Sequence, residues 1–390
     1  MVTNFKITAT PNIIFGSGKL KNLPSIIESY GNSVLLITGK NSFLQSDHWD
    51  KLLLQFESAK IHWRHLIIDR EPTPTMIDDC IVQFKNQQID VVVAVGGGSV
   101  MDGGKAISAM LCQEGSVADY LEGVGTRQPT GEKIPFIAVP TTAGTGSETT
   151  KNAVISEIGS SGFKRSIRHD NYVPDIALID PELTLNCPTS ITAQSGMDAF
   201  TQLLESYLST NANPLTDALA VDGIRKVRDA LVVAVNNGTD LNAREQMAYA
   251  SMLSGITLAN AGLGTIHGFA SSIGGFFAIP HGLVCARLME PVNRITVEKL
   301  RKKELGSPAL LKYARIGKLF SKDKNTSDAY YIDLLLGIIQ QWTEGFEIKG
   351  LSEFDVEEND FEKIIAKTSN KNNPIELNHD ELYEALKRAL

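Results

Sequence analysis

Short apolar runs alternate with amphipathic stretches through the first half of the chain, and the runs are continuous rather than alternating. Residues 33–39, 65–68, 91–95, 135–140 and 176–180 each read as a strand. Unbroken β-branched runs mark strands covered on both faces, hence a parallel sheet with crossover helices. Residues 3–15 add an extended segment that ends at Phe15-Gly16-Ser17-Gly18. After Pro181 the texture changes to long helical periodicities with short polar breaks and no strong strand. The pattern predicts an α/β N-terminal domain over 1–184 and an all-α C-terminal domain over 185–390. Stretches 298–307 and 321–327 read as charged or polar connections.

Composition narrows the function without naming it. The 390 residues suffice for two domains, and 43% of them are hydrophobic and 21% charged. A net charge of −8 argues against a nucleic-acid surface. Cys80, Cys112, Cys187 and Cys285 are scattered, without metal-knuckle spacing or a disulfide framework, which fits a reducing, cytoplasmic setting. Met1-Val2-Thr3-Asn4-Phe5-Lys6 lacks the apolar run of a secretory signal. Residues 252–280 carry no Asp, Glu, Lys or Arg and superficially resemble a membrane span. Their glycine, serine and threonine, with Asn260 and His267 in the middle, suit a helix packed inside a soluble domain instead.

Candidate chemistry lies in three places. In 195–208, Phe200, Leu203, Leu204, Tyr207 and Leu208 follow the rhythm of an apolar helix face, which leaves Asp198 and Gln202 together on the opposite one. With His267 and His281 they make a ligand mix that zinc or ferrous iron accepts. The plainer reading of the same four is a capping Asp, a surface Gln and two satisfied core histidines. Gly96-Gly97-Gly98-Ser99, then Asp102 and Lys105, leads from a buried strand into a helix whose free N–H groups suit a pyrophosphate, although a glycine triplet also makes a simple tight turn. Pro140-Thr141-Thr142-Ala143-Gly144-Thr145-Gly146-Ser147-Glu148 also follows a strand and offers hydroxyls and N–H donors together. Two such loops at strand C-termini stand where an α/β sheet binds ligands.

These motifs, with Gly196-Met197-Asp198-Ala199, His267-Gly268, Pro280-His281-Gly282 and Asn372-Asn373-Pro374, resemble the iron-containing (group III) alcohol dehydrogenase family over nearly the whole chain. The resemblance implies a Rossmann-like parallel sheet, an all-helical second domain in a dehydroquinate synthase-like architecture, and a metal and substrate cleft between them. It implies hydride transfer between NAD or NADP and a small or medium alcohol or aldehyde, by a homodimer or larger homo-oligomer. Asp198, His267 and His281, with Gln202 as a weaker partner, are the implied metal-holding and catalytic residues. Gly97, Gly98 and Ser99 would hold the pyrophosphate and Thr141 to Ser147 the nicotinamide. By position in the family, Asp102, Thr142, Thr145, Ser147 and Lys164 also contact the cofactor.

Three departures from the family pattern bear on the chemistry. Gln202 stands where many members have a metal-binding His, leaving a carboxylate and two histidines as in the similar zinc-binding glycerol dehydrogenases. Ser271 stands where many members have a second His, so the proton is expected to leave through water or the cofactor ribose hydroxyl. Gly39, Lys40 and Asn41 follow the Leu35-Leu36-Ile37-Thr38 strand, where NAD-preferring relatives often carry an Asp. A cation there in place of a carboxylate makes room for the 2′-phosphate of NADP. Phe269, Phe276, Phe277 and Ile279 are candidates for an apolar substrate wall. Two rival readings are a non-catalytic dinucleotide-binding protein whose metal site Gln202 has disabled, and a dehydroquinate synthase-like lyase, which would need more cations near the metal.

Overall fold

The computed structural model describes residues 4–304 and 306–390. Among the described residues, eight strands lie in the first half: β1 (Asn12–Phe15), β2 (Ser33–Thr38), β3 (His62–Ile67), β4 (Val91–Gly96), β5 (Phe136–Pro140), β6 (Asn152–Glu157), β7 (Phe163–Arg168) and β8 (Ile176–Ile179). Six of them form one sheet in the order β1-β8-β5-β4-β2-β3, and every neighbouring pair is parallel. Helices α1 (Leu23–Glu28), α2 (Asp47–Ser58), α3 (Pro74–Phe84) and α4 (Gly98–Met110) make the crossovers.

The continuous apolar runs of β2, β4 and β5 have the cause inferred for them, whereas the 65–68 run lies on the edge strand β3, which is partly exposed. Leu35, Ile37, Val92, Ala94, Phe136 and Ala138 belong to the core on one face of the sheet. Val34, Leu36, Val91, Val93, Val95, Ile137 and Val139 belong to the core on the other. Both faces are dry, so no polar alternation survives in the central strands.

The second half is helical: α5 (Thr189–Leu208), α6 (Pro214–Asn236), α7 (Leu241–Ala261), α8 (Thr265–Phe276), α9 (His281–Lys303), α10 (Pro308–Phe320), α11 (Asp328–Gly345), α12 (Phe361–Lys367) and α13 (His379–Ala389). Helix α5 runs through the middle of this region, packed on α6, α7 and α9, and from Gly196 to Leu208 every residue is buried. The face bearing Asp198 and Gln202 is therefore as enclosed as the apolar one. Among the described residues no helix is long and apolar enough to cross a membrane, and the uncharged stretch 252–280 forms the end of α7, α8 and the turn after it.

Several sequence expectations need correction. The extended segment pairs only at 12–15, because its partner β8 is four residues long and Pro11 lacks an N–H; Thr3 lies outside the described residues. Earlier in that segment, Thr8 turns its N–H and hydroxyl to Asn260 Oδ1 instead. Residues 298–303, expected in a connection, extend α9. Leu300 is fully buried there, and Arg301, Lys302 and Lys303 sit at the helix C-terminus, where cations are favoured. The antiparallel hairpin β6–β7 had no clear strand signal, since its residues mix buried and exposed positions without a clean period.

Candidate active site

Strand register sets the first part of the site. Thr38 pairs with Val95, and Gly96 with Pro140, so β2, β4 and β5 end level at one edge of the sheet. The segments 39–41, 97–99 and 141–147 all leave from that edge. Gly98 begins α4, and a Cβ there would meet Thr145 Cγ2 at 2.7 Å, so the two loops touch. Gly146, at φ 60°, lies against α7, where a Cβ would come within 2.4 Å of Gly255 N. That glycine serves helix packing rather than phosphate approach. Lys40 and Asn41 are exposed at the rim, and Gly39 is half-buried.

Lys105 ties the second loop down. Its buried ammonium donates to Ser147 O at 2.8 Å, Asn152 O at 2.8 Å and Thr150 Oγ1 at 3.0 Å, with Ser147 Oγ at 3.2 Å. Ser147 Oγ in turn donates to Asp102 Oδ1 at 2.7 Å. Burial lowers Lys105 to about 8, although Asp102 and Glu148 pull the other way. Burial likewise raises Asp102 to about 6 and Glu148 to about 7. Asp102 and Ser147 are thus joined to each other, and Lys105 proves to be the anchor of the loop. Lys164 stands apart on β7, nearly buried, with its Nζ 2.5 Å from Glu71 Oε1. Burial would raise the Glu71 carboxyl, but Lys164 outweighs it and holds it below the usual range.

The second part of the site is a cluster contributed by α5, α8 and α9. Asp198 Oδ1 lies 3.3 Å from His267 Nε2 and 3.9 Å from His281 Nε2. Cys285 Sγ lies 3.7 Å from each of the same two nitrogens. One donor atom from each of the four residues falls within 4.8 Å of all the others. Asp198 Oδ1 is buried with no hydrogen-bond partner, which is costly for a carboxylate. Around the cluster, His267 Nδ1 meets Glu205 Oε2 at 2.7 Å, an arrangement that points Nε2 inward. Glu205 also accepts from Ile266 N at 2.8 Å. Burial would lower His267, but Cys285, Asp198 and Glu205 hold it well above its ordinary value. Burial lowers His281 to about 4, and pushes the Cys285 thiol up to about 12. The convergence of these donor atoms, with Asp198 Oδ1 unpartnered, suits a divalent cation, which a carboxylate and two imidazoles would hold.

Of the two parts open to Gln202, weak ligand or support for a ligand, its contacts match the second. Its Nε2 donates to Asp198 Oδ2 at 3.0 Å, and its Oε1 accepts from Ser254 Oγ at 2.7 Å. The amide oxygen is thus turned away and the side chain braces the carboxylate. Ser254 Oγ also lies 3.5 Å from Gly144 O, which links the cluster to the threonine-rich loop. Sequence reasoning passed over Glu205 and Cys285. Each left a signal: an acid three residues after Gln202 in an apolar helix, and a cysteine one helical turn after His281. A cavity of about 380 Å³ runs beside Lys164, Arg165, Ser271, Phe276 and Lys367. Of the residues expected as an apolar substrate wall, Phe276 lines this cavity, whose lining includes none of the four cluster residues, whereas Phe269 and Ile279 lie in the core.

The chain matches two family models, iron-containing alcohol dehydrogenase over residues 10–181 and the Fe-containing alcohol dehydrogenase C-terminal family over 192–390. It is 34% identical over 389 residues to alcohol dehydrogenase 4 of Schizosaccharomyces pombe, covering 97% of this chain and 87% of that one. It is 30% identical over 404 residues to the NAD-dependent methanol dehydrogenase of Bacillus methanolicus, covering all of both. Among solved structures it is similar to a 1,3-propanediol oxidoreductase, with TM-score 0.86, 30% identity and full coverage of both chains.

Proposed function

The chain belongs to the iron-containing alcohol dehydrogenase family and is a metal-dependent, NAD(P)-linked alcohol dehydrogenase; we propose that it interconverts small or medium aliphatic alcohols and their aldehydes. The observation that carries this reading is the convergence of Asp198, His267 and His281 beside the threonine-rich loop. A ferrous or zinc ion held by those three residues supplies Lewis acidity toward the substrate oxygen.

The chain's own residues do the rest. Gly97, Gly98 and Ser99 at the start of α4 offer N–H groups to the pyrophosphate. Thr141, Thr142, Thr145 and Ser147 position the nicotinamide, with Asp102 and Lys105 holding the loop in shape, and orientation of this kind supplies much of the rate. Glu205 orients His267, and Gln202 orients Asp198. Lys164, which lines the cavity and pairs with Glu71, would contact the cofactor. Phe276 provides an apolar side for the substrate carbon chain. With Ser271 in the cavity wall, the proton departs through water or the ribose hydroxyl.

Supporting NADP(H) over NAD(H), residues 39–42 contain no carboxylate and Lys40 is exposed beside them. The four cysteines are free, in keeping with a cytosolic enzyme. A division at 184/185 and a homodimer or larger assembly complete the reading.

The test is anaerobic turnover of metal-stripped protein, restored with zinc or ferrous iron and assayed with NADPH and NADH against a panel of aldehydes. The expected result is metal-dependent turnover, faster with NADPH. Cofactor binding without turnover under either metal would replace the enzyme reading with the non-catalytic one. Equal or better use of NADH would remove the Lys40 argument.

A further inference from the structure

We propose that Cys285 is itself a ligand of the catalytic metal, joining Asp198, His267 and His281 in a four-residue set that leaves the substrate oxygen a fifth coordination position. This rests on the metal-dependent reading above and specifies the ion's coordination.

The four donor atoms already have the spacing of a coordination shell. Around a tetrahedral zinc, with Zn–N of about 2.0–2.1 Å and Zn–S of about 2.3 Å, neighbouring nitrogen and sulfur atoms lie about 3.6 Å apart, and neighbouring nitrogen and oxygen atoms about 3.3 Å. Here both Nε2–Sγ separations are 3.7 Å, and the two Nε2–Oδ1 separations are 3.3 and 3.9 Å. Hydrogen bonding alone accounts poorly for this convergence. A thiol has one proton, and it faces two imidazole nitrogens at equal distance. Asp198, only 1% exposed, still leaves Oδ1 without a partner.

Charge and surroundings agree with ligation. A thiolate and a carboxylate balance a dication held by two neutral imidazoles, as a buried centre requires. Gln202 does not compete for the position, because its amide oxygen is engaged by Ser254 and its NH2 faces Asp198. Helix α9 delivers both His281 and Cys285 from one face, four residues apart. A soft sulfur donor also suits zinc.

The experiment loads metal-stripped protein with zinc, measures stoichiometry by elemental analysis, and records the zinc K-edge X-ray absorption spectrum. A parallel cobalt(II) sample gives the optical spectrum. The expected result is one zinc per chain with a single sulfur at about 2.3 Å, and a sulfur-to-cobalt charge-transfer band in the near ultraviolet. Cys285→Ser should lose both signals and bind zinc about 100-fold more weakly or worse, beyond the range typical of residues that only orient ligands. Stoichiometric zinc in the unaltered protein with only nitrogen and oxygen neighbours would overturn the assignment and leave the metal-dependent reading standing. Absence of bound zinc, iron or cobalt from the unaltered protein would overturn both. Because the decisive spectrum is that of the unaltered chain, a poorly folding variant does not blunt the test.

Discussion

The Lys105 network, between α4, the threonine-rich loop and β6, and the Asp198 cluster, between α5, α8 and α9, are both buried polar groups, but only the first satisfies itself. Lys105 finds oxygen acceptors for all three of its protons, with Asp102 and Glu148 nearby to balance its charge. The Asp198 cluster gathers lone pairs on a carboxylate, two imidazoles and a thiol, and leaves Asp198 Oδ1 unpaired. A closed network fixes a shape, here the loop proposed to face the cofactor. An open one awaits a cation, and its strain toward positive charge is the physical basis of the metal centre.

The hardest test of this contrast is His267→Ala, which should cost on the order of 1000-fold or more in turnover and take the metal with it. Elemental analysis beside the assay would expose retention of metal at full activity, which would sink the open-centre reading. Lys105→Met should act the other way, leaving metal content intact while costing about 3–5 kcal/mol in urea unfolding, because it strands buried carboxylates. An unchanged unfolding midpoint would mean the network is not needed to hold the loop.

Titration sharpens the same difference by a smaller amount. Glu148 is raised to about 7 from 4.5, so its contribution to stability is complete below pH 4.5 and is lost as pH rises through 7. The loss is on the order of 3 kcal/mol. Lys105, lowered to about 8 from 10.5, has the opposite sign: stability is recovered as pH rises from 8 to 10.5 and lost as pH falls through 8. Unfolding midpoints of Glu148→Gln against the unaltered protein should therefore diverge in the variant's favour between pH 4.5 and 7. A constant difference across that range would contradict the burial argument. Smallest of all, Glu205→Gln should weaken metal binding about 10–100-fold without unfolding the chain. Competition with a chelator measures it, and an unaltered affinity would show that the bond to His267 Nδ1 does not orient the ring.

How much of this was legible beforehand follows the range of the interactions. The central strands announced themselves because residues such as Val91 to Val95 are apolar at every position, a pattern that two covered faces impose. The hairpin β6–β7 did not, since its burial depends on whichever helix lies beneath it. Asp198, His267 and His281 stood out as polar groups in apolar or uncharged surroundings. Glu205 and Cys285 carried equally local signals, an acid in a buried helix and a cysteine one turn past a histidine. What those signals meant depended on α5, α8 and α9 meeting.

By itself, the sequence determined the class of fold, the glycine and threonine loops at strand ends, and the residue types able to hold a metal. These are set by backbone periodicity and side-chain chemistry, which act within a few residues. Tertiary structure alone decided that Gln202 braces Asp198 while its oxygen faces Ser254, that Gly146 yields to α7, and that Cys285 reaches both histidines. Those outcomes depend on distances of a few ångströms between residues tens of positions apart, and only the packing of helices fixes such distances.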